Sequence, residues 1–188
     1  MFKNWKIKQF NKRTSSPKFK PQEVTHSLGI KPGDVIADIG SGGGYYSFEF
    51  AKHVGETGKV YALDTEQNFL DYIKNEINKH KLTNIETVLI KDNAIALPTN
   101  GIDLIFLRNV FHHLPEPIKY FAQLKKYLKL HGRITIIEYS KSHFHLFLRG
   151  KHFTPEAEIV NTMTRCGYII SNKFDFLPDQ SFVIFKKE

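Results

Sequence analysis

The chain predicts an α/β fold, doubly wound, with a mostly parallel seven-stranded sheet that ends in a C-terminal antiparallel strand. Three observations carry that expectation. Short apolar runs alternate with amphipathic stretches through five units. The first run, Val35-Ile36-Ala37, breaks at Asp38-Ile39-Gly40-Ser41-Gly42-Gly43-Gly44, with four glycines in five residues. The last two runs, 168–174 and 182–185, are separated by too few residues for a helical crossover, so they pair antiparallel.

Each element has its own signal. Residues 22–28 read as a short helix, and Lys31-Pro32-Gly33-Asp34 turns the chain into strand 35–39. Helix 45–54 follows the glycines and stops at Gly55. Strand 59–63 leads to helix 67–80, whose apolar Phe69, Leu70, Ile73 and Ile77 share one side. Strands 85–90 and 102–107 come next, then helix 117–128 and strand 133–138. Residues 140–153 are irregular. Thr154-Pro155-Glu156 opens a further helix, with threonine as its cap and proline at its first position.

At 188 residues the chain is one ordinary domain with an appendage. The expected division is a basic N-terminal arm over 1–20 and the α/β domain over 21–188. Of the net charge of +8, the arm holds Lys3, Lys6, Lys8, Lys12, Arg13, Lys18 and Lys20 with no acid; the rest has 20 basic against 19 acidic residues. The arm's Phe2, Trp5, Phe10 and Phe19 could make it a surface-seeking helix or a flap over the pocket. They do not recur at helical spacing, so a partly ordered tail packed on the domain is the leading expectation. No apolar run approaches the roughly 18–20 residues of a membrane span, and the N-terminus lacks an apolar signal segment. The lone Cys166 excludes a disulfide framework and a thiolate cluster. No metal and a cytoplasmic location are therefore expected.

A dinucleotide fingerprint would want a third glycine where this chain has Tyr45. The chain offers Asp38-x-Gly40-x-Gly42-x-Gly44 instead, with Asp64 at the next strand end. This pattern resembles the class I S-adenosylmethionine-dependent methyltransferases, over about residues 28–188. Ala94-Ile95-Ala96-Leu97-Pro98 and Asn109-Val110-Phe111-His112-His113-Leu114 make the small-molecule enzymes of ubiquinone and menaquinone biosynthesis the nearest flavour. The resemblance implies a Rossmann-like methyltransferase fold and S-adenosylmethionine as cofactor. It places the cofactor's amino-acid end at Asp38, Gly40, Ser41, Gly42 and Gly44, the ribose at Asp64 beside Thr65, and the adenine near Asp92, Asn93 and Ala94. In the resembled family an aspartate takes the adenine amino group where this chain has Asn93, with Asp92 just before it. Either side chain could accept that N–H, so the owner of the contact stays open. Arg108 and Asn109, at the end of the fourth strand, complete the cofactor set.

The physics agrees. Loop amides at a helix N-terminus suit a carboxylate, and Asp38 suits an ammonium. Asp64 can accept from two ribose hydroxyls at once. Methyl transfer chiefly requires alignment, and a general base only where the nucleophile must lose a proton. Histidines suit that duty, and His112 and His113 are the catalytic candidates. His145 and His152 are further histidines near the expected acceptor entrance. Tyr45, His143 and Arg149 are candidates for the methyl acceptor. No Asn/Asp-Pro-Pro-aromatic motif follows the fourth strand, and Cys166 sits in the wrong element for a cytosine-type nucleophile. A small organic acceptor is therefore expected. The alternatives are an RNA- or protein-directed enzyme gripping its polymer through residues 1–20, or a non-catalytic cofactor-binding module.

Overall fold

The structure is a computed structural model that describes residues 2–91, 94–140 and 153–188. Its seven strands run in the order β3-β2-β1-β4-β5-β7-β6. The chain divides into two compact units, Met1–Leu97 and Pro98–Glu188.

The first unit holds helix α1 (Phe2–Thr14), α2 (Pro21–Ser27), β1 (Val35–Ile39), α3 (Tyr45–Val54), β2 (Lys59–Asp64), α4 (Gln67–His80) and β3 (Ile85–Leu89). β1 pairs parallel with β2, and β2 with β3. Ile36, Ala37, Ile39, Val60, Ala62 and Leu63 are all buried, so the middles of β1 and β2 are mostly apolar, with the acids Asp38 and Asp64 near their carboxyl ends. Helix α3 buries Tyr46, Phe50, Ala51 and Val54, one face at helical spacing. Each such large apolar side chain taken from water contributes about 1.5–3 kcal/mol.

The N-terminal segment departs from expectation. Residues 2–14 form a regular helix rather than a partly ordered tail. Ile7 is buried and the Phe10 ring lies 6.1 Å from that of Phe69 on α4, while Trp5 and Phe10 keep more than half their surface exposed. A few tertiary contacts, not an apolar stripe, hold this helix.

The second unit holds β4 (Ile102–Arg108), a 3-10 turn (Phe111–His113), α5 (Pro117–Leu124), β5 (Leu128–Tyr139), α6 (Glu156–Arg165), β6 (Tyr168–Phe174) and β7 (Gln180–Lys187). β4 and β5 are parallel, whereas β7 runs antiparallel to both β5 and β6. Helix α5 ends at Leu124, short of the expected 128, and β5 starts five residues early. The carbonyl of Tyr127 accepts from both Gly101 and Ile102, which commits the chain to the sheet before Leu128. Gly132 lets β5 pass β4 closely, because a Cβ there would stand 2.7 Å from the Ile102 carbonyl oxygen. The expected threonine cap also shifts: Pro155 is the cap residue of α6, and buried Thr154 instead donates its backbone N–H to Tyr139 at 2.8 Å. A register step between Ile170 and Asn172 interrupts β6 at the sheet's edge.

Candidate functional site

At the carboxyl end of β1 the chain enters the glycine turn. The N–H groups of Gly40 and Ser41 both donate to the Leu63 carbonyl, at 2.8 and 2.9 Å, which ties the turn to β2. Gly44 has φ +81°, and a Cβ on it would lie 2.8 Å from Ile73 and 3.0 Å from Phe48. Only glycine meets both demands. Gly44 then serves as the cap residue of α3.

Two buried carboxylates flank this turn. Asp38 is 3% exposed and accepts from the Ser47 hydroxyl at 2.5 Å. Burial pushes its carboxyl up to about 7 against the pull of the Ser47 bond, and the Asp64 charge adds to the rise. Asp64, buried at the end of β2, accepts from the N–H of Gly42 at 2.8 Å on Oδ2 and from that of Glu66 at 2.9 Å on Oδ1. Burial raises this carboxyl too, and those backbone bonds oppose it. Backbone donors thus already reach both Asp64 oxygens, with the Thr65 N–H adding to those of Gly42 and Glu66, and the carboxylate's roughly four acceptor sites still leave room for a ligand. The hydroxyl oxygen of Ser41 is buried and has no hydrogen-bond partner among the described residues.

Helix α1 closes on the same turn. Asn11 donates its side-chain N–H to the Gly43 carbonyl at 2.7 Å, and a Cβ at Gly42 would lie 3.4 Å from the Phe10 ring. Phe10 stood out only as one of the arm's aromatics, and neither Asn11 nor Ser47 carried a signal in the sequence. Of the other expected residues, Thr65 and Ala94 are exposed, and Tyr45 is half-buried against the edge of Tyr46. Asp92 and Asn93 lie outside the described residues.

In the second unit, Arg108 is half-buried at the end of β4. Asn109 has φ +56°, a conformation asparagine tolerates, and its side-chain oxygen accepts from Gln180 at 2.9 Å. His112 and His113 share the 3-10 turn with ring centroids 3.9 Å apart. The His112 side chain is 7% exposed and its Nδ1 meets Glu138 Oε1 at 3.0 Å; His113 is exposed. Glu138 and Gln180 are absent from the sequence-based candidates. The expected His143 and Arg149, with His145 and His152, lie outside the described residues. Among the described residues no cluster of His, Cys, Asp and Glu could hold a metal ion, and no helix is long and apolar enough to cross a membrane.

Comparison with known proteins identifies the family. The model of a family described as a methyltransferase domain matches residues 30–178. A ubiquinone/menaquinone biosynthesis C-methyltransferase of Francisella tularensis subsp. novicida is 30% identical over 124 residues, 65% of this chain and 49% of that relative. The enzyme of the same description from Hydrogenovibrio crunogenus is 27% identical over 114 residues, 60% of this chain and 45% of its own. The chain therefore spans about half the length of the curated relatives it matches. The crystal structure of an S-adenosylmethionine-dependent methyltransferase from Aquifex aeolicus superposes with a TM-score of 0.85 at 29% identity, covering 96% of both chains.

Proposed function

Because the chain belongs to the methyltransferase-domain family, among the class I S-adenosylmethionine-dependent methyltransferases, we propose that it methylates a small organic acceptor. The cofactor supplies an activated methyl group on a sulfonium, displaced in line by the acceptor.

The observation that carries the reading is the pair of buried acids joined through one glycine turn, Asp38 and Asp64. The turn's residues fit the cofactor's amino-acid and sugar ends. A buried carboxyl held up near 7 gains most from a cation beside it, which suits Asp38 to the ammonium group. The remaining lone pairs of Asp64 suit the ribose hydroxyls. The unpartnered Ser41 hydroxyl can donate to the carboxylate, and Gly40, Gly42 and Gly44 keep side chains out of its way. Thr65, Asp92, Asn93 and Ala94 extend this assignment towards the adenine, and Arg108 and Asn109 towards the methyl group.

For the acceptor, the ubiquinone/menaquinone enzymes among the relatives favour a small ring compound over a polymer. Tyr45, His143 and Arg149 are the residues assigned to its binding, and His112 and His113 to any proton it must shed. Titration calorimetry with S-adenosylhomocysteine tests the cofactor site, and a tritium-transfer screen over phenols, quinols, amines and RNA tests the acceptor. Binding at micromolar Kd with transfer to a small molecule is expected. Transfer to RNA alone would overturn the acceptor class.

A further inference from the structure

Resting on that reading, we propose that Glu138 is a positioning residue. It fixes His112 in the tautomer that takes a proton from a methyl acceptor bearing an exchangeable O–H or N–H. Glu138 stands one residue from the carboxyl end of β5, where open α/β sheets bind their ligands. The strand before it, Ile134 to Ile137, is buried and almost wholly apolar, and Glu138 itself is 0% exposed. Sealing a carboxylate there is costly unless donors converge on it. Three do. Oε1 accepts from His112 Nδ1 at 3.0 Å and from the Tyr139 N–H at 3.0 Å, and Oε2 accepts from the His112 backbone N–H at 3.4 Å.

A carboxylate has no proton to give, so Nδ1 must be the donor in the His112–Glu138 bond. The neutral ring then carries its lone pair on Nε2, the arrangement a general base needs.

A second observation points to a ligand at the same strand ends. Gln180 pairs with Tyr139 across β5 and β7 and is 5% exposed. Its Nε2 donates to Asn109, but its buried Oε1 has no hydrogen-bond partner among the described residues. An acceptor molecule with an O–H or N–H would satisfy it. In the step assigned to this pair, the acceptor's proton moves to His112 Nε2 as its O or N atom forms the new bond to methyl. The methyl–sulfur bond breaks with its electrons left on sulfur, and Glu138 offsets the charge gained by the imidazole.

Long-range proton–nitrogen NMR on full-length protein labelled with 15N-histidine tests the tautomer without any turnover. His112 is assigned by its loss in His112→Asn. Above neutral pH the wild-type ring should carry its proton on Nδ1. Glu138→Gln should retain that preference, because its amide oxygen still accepts, and Glu138→Leu should abolish it. With catechol, hydroquinone and aniline as acceptors, Glu138→Leu should lose at least tenfold in kcat with KM within twofold, and Glu138→Gln should recover part of that loss. S-adenosylhomocysteine calorimetry and thermal unfolding on each protein separate the outcomes. No S-adenosylhomocysteine binding by wild type sinks the underlying function. Normal binding with the proton on Nε2, an unchanged kcat in folded Glu138→Leu, or no transfer to any of the three acceptors overturns the role given to Glu138.

Discussion

Asn11, in the first helix, donates its side-chain N–H to the carbonyl oxygen of Gly43 at 2.7 Å, fastening that helix to the glycine turn. The two residues are 32 positions apart, and the bond makes a segment that reads as a tail into part of the turn's surroundings.

Substitutions at neighbouring glycines should therefore differ in kind. In Gly43→Ala the new Cβ meets only the tip of Asn11, which can move. The expected cost is the Asn11 bond, about 0.5–1.5 kcal/mol, together with faster tryptic cleavage after Lys8, Lys12 or Arg13. In Gly44→Ala the φ of +81° and the crowding by Ile73 and Phe48 have no such relief. Denaturant unfolding should show a further loss of about 1–3 kcal/mol. Equal effects at the two sites would contradict this.

Asp64→Ala should weaken S-adenosylhomocysteine binding at least tenfold, about 1.4 kcal/mol. It should also lower Tm, because the N–H groups of Gly42 and Glu66 lose their acceptor. Calorimetry showing wild-type Kd in the folded variant would remove Asp64 from the cofactor site.

Asp38 gives the free protein a pH dependence whose sign is fixed. Its carboxyl lies near 3.8 in an ordinary setting and is raised to about 7 in the fold. Between those values the native state holds a proton that the unfolded chain has released, so stability falls as pH rises through the window. The contribution is complete below about pH 4 and gone above 7. Asp38→Asn should reduce that slope, leaving the smaller part due to Asp64, as read by urea midpoints at pH 5 and 8. Binding of an ammonium-bearing ligand favours the ionised acid. Its affinity should therefore climb between pH 5.5 and 7.5 in wild type and stay flat in Asp38→Asn.

Cys166 should resist alkylation. It is 7% exposed, its Sγ donates to the Ile118 carbonyl at 3.2 Å, and burial raises its thiol. Iodoacetamide at pH 8 should label the unfolded chain more than tenfold faster than the native one. Comparable rates, followed by mass spectrometry, would count against a buried thiol.

The fold was legible because short, mostly apolar stretches mark the strands of the first unit and α3 and α4 keep helical spacing. The glycine turn was legible because positive φ and tight packing leave a compositional mark. The junction of α5 and β5 was not, since leucine and tyrosine suit both states and the Tyr127 contacts with Gly101 and Ile102 decide it. Nor were the partners of the site legible. Glu138 meets His112 across 26 positions, and Gln180 meets Asn109 across 71. No local pattern encodes such pairs; they exist only once the strands have paired.

The irregular step at Ile170–Asn172 bears on what the sheet's open edge can pair with. β6 closes one side of the sheet, and Ile169 and Ile170 are 41% and 44% exposed on it. A straight ribbon with such side chains and open backbone groups is a template for another strand. The misaligned rung spoils that template, and Lys173, tethered to Glu156, sets a charge immediately beyond it. An incoming chain would find neither a matching ladder nor a neutral flank on which to stack.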